Sequence, residues 1–266
     1  MKSKRLRLKS LVDAQTIPAI EHSCAQPTAV TIMVHGLTTD KDEYLGFYRN
    51  IAERLNEQEV ASLRFDSRAH GESKRPSSEF TIVNNTLDVL SVVMEAQRKY
   101  PGIPLKLFGT SFGSISAAIA ARLLSVSLDR LILLAPALNL SALYIDPVSE
   151  REKYASFIHQ AVHLGEQLRV SDRISFTAAN AVEFASIDMR SVIADVASRL
   201  TVIHGLSDTI IPFRLTEEVT KSNPIARFIP VEGMDHGFMD IEDPNGTSSR
   251  SRENFELILS ELVGDR

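Results

Sequence analysis

Three residues far apart in the chain, Ser111, Asp208 and His236, have the types that nucleophilic catalysis requires. A serine hydroxyl is a poor nucleophile until a base removes its proton, and the base needs an acid to orient it and stabilise its charged form. Serine, aspartate and histidine in that order supply nucleophile, acid and base. The serine sits in Gly109-Thr110-Ser111-Phe112-Gly113, after the apolar run 105–108 and before the Ala-rich stretch 115–121. That is the layout of a strand, a sharp turn and a helix, with the serine at the tip. A serine there has strained dihedrals, so the residues two positions away on either side must lack bulk where strand and helix cross. Gly109 and Gly113 meet that need.

Other residues compete for these roles with weaker claims. His22, His159 and His163 have no motif around them, and His204 lies inside an apolar strand pattern. His35 and His70 belong to loops and read as structural. Asp235 adjoins His236, but neighbouring side chains rarely face each other productively. Asp66 and Arg68 read as residues that hold their own loop together. Asp146, Glu150 and Glu152 read as a solvated face. No His/Cys/Asp cluster has metal-ligand spacing and no glycine-rich phosphate loop is present, so neither metal nor other cofactor is expected.

The elements that must position these groups alternate along the chain. Residues 4–12 and 16–22 read as an antiparallel pair of short strands. Buried strands follow at 29–34, 60–65, 105–108, 130–136, 200–204 and 226–230, rich in β-branched and apolar residues. Helical patterns fall between them at 44–56, 81–100, 114–124, 191–197 and 213–221, and a last one at 251–262. This rhythm implies an α/β fold, a mostly parallel sheet of about eight strands covered on both faces. Working groups in such sheets gather at the carboxyl ends of the strands. The rhythm fails between 139 and 189, where scattered large apolar residues suggest a small helical insertion rather than a long loop. The domain expectation is therefore a core of 1–138 and 190–266, with 139–189 as a cap or lid.

Bulk properties exclude several classes. The 266 residues carry a net charge of −5, with 44% hydrophobic and 24% charged residues, which leaves no basic surface for nucleic acid. Lys2, Lys4, Arg5, Arg7 and Lys9 alternate with Leu6 and Leu8 as on a half-exposed strand, and no run approaches the roughly 18 apolar residues of a membrane span. A single cysteine, Cys24, excludes an intramolecular disulfide and fits a reducing, cytoplasmic setting.

The pieces together resemble the α/β-hydrolases of the serine-esterase type. They are His35-Gly36-Leu37, the Asp66-Ser67-Arg68-Ala69-His70-Gly71-Glu72-Ser73 loop, the Ser111 turn, Gly205-Leu206-Ser207-Asp208 and Asp235-His236-Gly237. The chain is most similar to the group of cinnamoyl (feruloyl) esterases and monoacylglycerol-type lipases, over nearly its whole length apart from 139–189. It departs at Ala69, where the family often has glycine. The resemblance implies an oxyanion hole made by the backbone N–H groups of Leu37 and Phe112, each donor worth roughly 3 kcal/mol in the transition state. It also places the insertion over the site, so that Leu37, Leu140, Leu143 and Tyr144 would line an acyl or alcohol pocket. The activity implied is hydrolysis of a small-molecule carboxylic ester or thioester through an acyl-enzyme. Acyl transfer and thioester hydrolysis on the same apparatus stay open, as do a non-catalytic small-molecule receptor and a homodimer.

Overall fold

The computed structural model describes residues 2–124, 128–148, 154–243 and 245–264; Glu150 and Glu152 lie outside them. Among the described residues, eight strands form the main sheet: β1 (Lys2–Lys9), β2 (Thr16–Ser23), β3 (Ala29–Val34), β4 (Val60–Phe65), β5 (Leu105–Thr110), β6 (Leu128–Leu134), β7 (Arg199–Gly205) and β8 (Arg227–Val231). They lie in the order β1-β2-β4-β3-β5-β6-β7-β8. β1 pairs antiparallel with β2, and β2 with β4; every later pairing is parallel. Among the described residues the helices are α1 (Phe47–Glu57), α2 (Ile82–Lys99), α3 (Gly113–Leu123), α4 (Ala178–Ser186), α5 (Met189–Ala194), α6 (Phe213–Thr220) and α7 (Ser249–Val263).

The burial explains the sequence pattern. Every residue of β3, β4 and β5 is buried, as expected of parallel strands covered on both faces. Alternate residues feed two separate cores. Val30, Ile32 and Val34 join a cluster with α2 and α3, whereas Ala29 and Met33 pack with Phe47, Ile51 and Leu55 of α1 and Ile258 and Leu262 of α7. The α3 alanines, Ala117, Ala118, Ala120 and Ala121, are fully buried. Their short side chains let this helix pack close behind the central strands.

Local chemistry sets the helix ends. The Thr81 hydroxyl accepts the Asn84 amide at 3.1 Å and starts α2. Helix α1 begins at Phe47, later than the sequence pattern suggests. Leu45 (φ 50°) and Gly46 (φ 74°), in the 3₁₀ turn Tyr44–Gly46, adopt left-handed conformations that break the helical path before Phe47. Ala69 also has φ 62° in the Asp66 loop, so this chain keeps a left-handed turn there without glycine, at about 1–2 kcal/mol.

Among the described residues of the 139–189 segment the structure has two single π-type turns, Ser141–Ile145 and His159–His163, and helix α4. A two-residue antiparallel ladder, Leu168–Arg169 with Ser175–Phe176, was not expected from the sequence, because it is too short to show a period. Asp146 is exposed. The segment is tied to the loop after β4 and to the start of α2. Arg173 donates to the carbonyls of Gly71 (2.6 Å) and Ser73 (3.0 Å), Asn180 Nδ2 to that of Phe80 (2.8 Å), and Glu183 accepts the amides of Ile82 (2.7 Å) and Val83 (3.0 Å).

Candidate active site

Strand β5 runs directly into the turn at Ser111, whose φ of 47° lies in the left-handed region. A non-glycine residue there costs roughly 1–3 kcal/mol and persists only where its surroundings enforce it. The Ser111 amide donates to Leu134 O of β6 at 2.9 Å, and Ser114 Oγ donates to Gly109 O at 2.9 Å. The two glycines are required by contact. A Cβ on Gly109 would stand 2.8 Å from Ser114 Cα, and one on Gly113 would stand 2.3 Å from the carbonyl oxygens of both Val34 and His35. Helix α3 thus crosses β3 at a distance only glycine permits.

The structure brings the three predicted side chains together. Ser111 Oγ lies 3.1 Å from His236 Nε2, and His236 Nδ1 lies 2.7 Å from Asp208 Oδ2. A carboxylate beside Nδ1 fixes the proton there, so Nε2 is left to accept the serine hydroxyl proton. Asp208 comes from the loop after β7 and His236 from the loop after β8. The other carboxylate oxygen, Oδ1, accepts the amides of Ile210 (2.9 Å) and Ile211 (2.8 Å). Burial, the largest influence on the Asp208 carboxyl, works to raise its pKa. Hydrogen bonds from His204 and His236 outweigh it and hold the pKa at about 2. The acid is therefore ionised at neutral pH. Its side chain is fully covered, while that of His236 retains 24% exposure, so a reactant can reach the base but not the acid.

His204 is a residue the sequence pattern did not single out. It stands near the end of β7 with its Nε2 3.0 Å from Asp208 Oδ2. The one sequence sign of this was its place four residues before the acid, across the Gly205 turn.

His35 and His70 are occupied in holding loops, as their positions suggested. His35 Nε2 accepts the Ser67 amide at 3.0 Å, so its Nδ1 donates to Gly36 O at 2.8 Å. His70 Nε2 accepts the Thr38 amide at 3.3 Å, so its Nδ1 donates to Arg68 O at 2.7 Å. Both are neutral braces between the loop after β3 and the loop after β4. For His70, burial first, with the charge of Arg173 adding to it, pushes the pKa down to about 3. Asp66 and Arg68 also hold their surroundings. Asp66 accepts the Lys41 amide and ammonium, each at 2.9 Å, and Arg68 pairs with Asp88 at 2.8 Å.

The loop carrying Leu37 passes beside the serine: a Cβ on Gly36 would lie 3.2 Å from Ser111 Cβ. Phe112 follows Ser111 at the head of α3. The two amides predicted as oxyanion donors therefore belong to backbone segments flanking the hydroxyl. Glu43, whose charge gave no hint of this in the sequence, is buried below them. Its Oε2 accepts the Gly36 amide at 2.7 Å and the Thr110 hydroxyl at 2.6 Å.

Of the predicted pocket residues, Leu37 is half-buried, while Leu140, Leu143 and Tyr144 are almost fully covered. Tyr144 sits in an aromatic cluster, its ring centroid 6.0 Å from Phe112 and 4.6 Å from Phe184. A cleft of about 440 Å³ opens instead between the loop after β3 (Thr38, Thr39, Glu43), the loop after β4 (Ala69, His70) and Arg173 of the insertion. Leu140 borders a separate pocket of about 170 Å³. Among the described residues no group of three or more His, Cys, Asp or Glu side chains is arranged to hold a metal ion. Likewise, no helix is long and apolar enough to cross a membrane.

This sheet order, with Ser111, Asp208 and His236 at its carboxyl edge, is the α/β-hydrolase fold. The family model described as serine aminopeptidase, S33 (Hydrolase_4) matches residues 25–174, more than half of the chain, and the chain belongs to that family. Solved structures agree on the fold. Est1E from Butyrivibrio proteoclasticus with ferulic acid bound superposes with a TM-score of 0.72 at 19% identity, covering 94% of this chain and 96% of that one. A putative hydrolase from Agrobacterium vitis S4 gives 0.72 at 18% identity, covering 97% and 99%. An esterase from Pyrococcus furiosus gives 0.67 at 17% identity, covering 97% and 91%. No curated protein matches the chain.

Proposed function

We propose that this hydrolase-family member cleaves a carboxylic ester or thioester, with Ser111 as nucleophile, His236 as general base and Asp208 as the acid that orients it. The observation that carries this reading is the unbroken line Ser111 Oγ, His236 Nε2, His236 Nδ1, Asp208 Oδ2, with separations of 3.1 and 2.7 Å. His236 takes the hydroxyl proton as Ser111 attacks the carbonyl carbon. The Leu37 and Phe112 amides receive the developing oxyanion. His236 then returns the proton to the leaving group, and the acyl-serine is released by a water that His236 activates. The described part of residues 139–189 serves as the cap, and the cleft of about 440 Å³ that Arg173 shares with Thr38, next to Leu37, is the entry assigned to the substrate. Likeness of fold to esterases supports an ester over an amide. The family's description names an aminopeptidase, but nothing in the sequence favours an amine leaving group.

The test is turnover of p-nitrophenyl esters from acetate to laurate, methyl ferulate and an aminoacyl p-nitroanilide by the wild type and Ser111→Ala. We expect ester turnover that falls by about 10⁴-fold or more in Ser111→Ala. Stoichiometric labelling of the wild type by a fluorophosphonate, lost in the variant, would accompany it. A folded wild type that is neither labelled nor active would overturn the proposal and favour a receptor. Turnover of the anilide alone would replace the ester with a peptide.

A further inference from the structure

The acid Asp208 serves two histidines. Its Oδ2 is 2.7 Å from His236 Nδ1 and 3.0 Å from His204 Nε2. The same His204 nitrogen is 2.9 Å from the carbonyl oxygen of Ile211. Two acceptors facing one ring nitrogen require that nitrogen to carry the hydrogen. His204 Nδ1 is then the bare nitrogen, and it is buried without a hydrogen-bond partner among the described residues. The ring as a whole is fully covered. A second proton would create a buried N–H with no acceptor, so the imidazole stays a neutral donor.

Resting on the serine-hydrolase reading above, we infer that His204 is a positioning residue that fixes the Asp208 carboxylate toward His236. The carboxylate is held on both sides. Oδ1 is anchored by the Ile210 and Ile211 amides, and Oδ2 by the His204 N–H, which also grips the Ile211 carbonyl and so closes the 208–211 turn. Without that donor, His236 alone remains on Oδ2 among the described residues, and the turn loses its inner brace. The ionisable groups acting on Asp208 are His204 and His236. His236 in turn faces Ser111, Asp208 and the ring of Phe238, while Asp235 is directed to the Met239 amide. Removing the His204 donor therefore concentrates the carboxylate's charge on His236 and makes that base harder to deprotonate.

The experiment compares His204→Gln, which can carry an amide N–H close to the position of Nε2, with His204→Asn, which retracts it, using p-nitrophenyl butyrate. Rates are normalised to sites titrated by a fluorophosphonate, so that partial misfolding does not enter. For His204→Asn we expect kcat to fall about tenfold, the size of one hydrogen bond to a charged group. KM should stay within about twofold, and the acid limb of the kcat/KM profile should move to higher pH. His204→Gln should recover most of kcat and the original limb. Two variants alike, each with the wild-type profile, would overturn the inference, as would a loss in both confined to thermal stability. Ser111→Ala, run alongside, separates the cases. Retained turnover there would remove the nucleophile and the inference together, whereas its loss with unchanged His204 variants removes the inference alone.

Discussion

Glu43 Oε2 lies 2.6 Å from the hydroxyl of Thr110, and the same oxygen lies 2.7 Å from the Gly36 amide. One buried carboxylate therefore ties the last residue of β5, just before Ser111, to the residue just before Leu37. The link lies between the two segments that carry the proposed oxyanion donors. Tyr48 supports it from below, sharing its one hydroxyl hydrogen between Thr110 Oγ1 at 3.1 Å and Val34 O at 3.0 Å. Burial first, and then the Glu43 charge, push the Tyr48 phenol well above its ordinary pKa, so it stays a donor.

Glu43→Ala removes the link without touching the three reacting side chains. We expect kcat to fall by about 10²-fold, comparable with loss of one oxyanion-hole donor, while KM changes little. Glu43→Gln keeps an oxygen for Gly36 and Thr110 and sets an NH₂ against the Tyr44 amide, which Oε1 now accepts at 3.2 Å. Its loss should be only several-fold. Steady-state kinetics of the two variants checks this, and a Glu43→Ala enzyme within twofold of wild-type kcat would contradict it.

Gly113→Ala tests the crossing of α3 over β3. The new Cβ would stand 2.3 Å from two backbone oxygens, those of Val34 and His35, and a central strand has nowhere to retreat. We expect more than about 3 kcal/mol of destabilisation or no soluble protein. Gly102→Ala is the control. Its φ is 77°, a left-handed value that Gly113 does not have, but its Cβ would meet nothing within 4 Å, so roughly 1 kcal/mol is expected. Both changes restrict the unfolded chain equally, and the left-handed strain falls on the control alone, so a larger loss at Gly113 in urea unfolding reports the clash. Equal losses would mean that α3 does not approach β3 this closely.

These cases show what a sequence can and cannot disclose. Gly109 and Gly113 were legible because steric exclusion leaves one residue type, and β3, β4 and β5 because two covered faces demand unbroken apolar runs. Ser111, Asp208 and His236 were legible as residue types at strand ends. Side-chain direction was not. Glu43 sits among Asp40, Asp42 and Tyr44 like a surface charge, and only the left-handed backbone at residue 43, φ 59°, turns it inward. His204 has the alternation of a buried strand residue, and its partnership depends on how the Gly205 turn folds back. The direction of Tyr144 depends on aromatic packing against Phe112 and Phe184, which no local period encodes.

His70 provides a pH test of the loop braces. Its folded pKa is about 3 against an ordinary 6.5. Between those values the unfolded chain binds a proton that the folded chain refuses, so stability falls as pH drops from about 6.5 toward 3. At pH 5 the loss from this residue is roughly 2 kcal/mol. Asp208 cannot mimic the effect. With its pKa lowered to about 2 from 3.8, its contribution is present above pH 4 and is lost only below that. His22, whose pKa burial and Arg64 also lower, acts in the same direction but is untouched by a change at His70. His70→Gln should lower stability at pH 7, because the brace between Thr38 and Arg68 is imperfectly replaced. It should also lose about 2 kcal/mol less than the wild type between pH 7 and pH 5. Urea unfolding of both proteins at the two pH values measures this difference. Equal losses in the two would show that His70 is protonated in the folded chain, and that it does not brace the loop as a neutral ring.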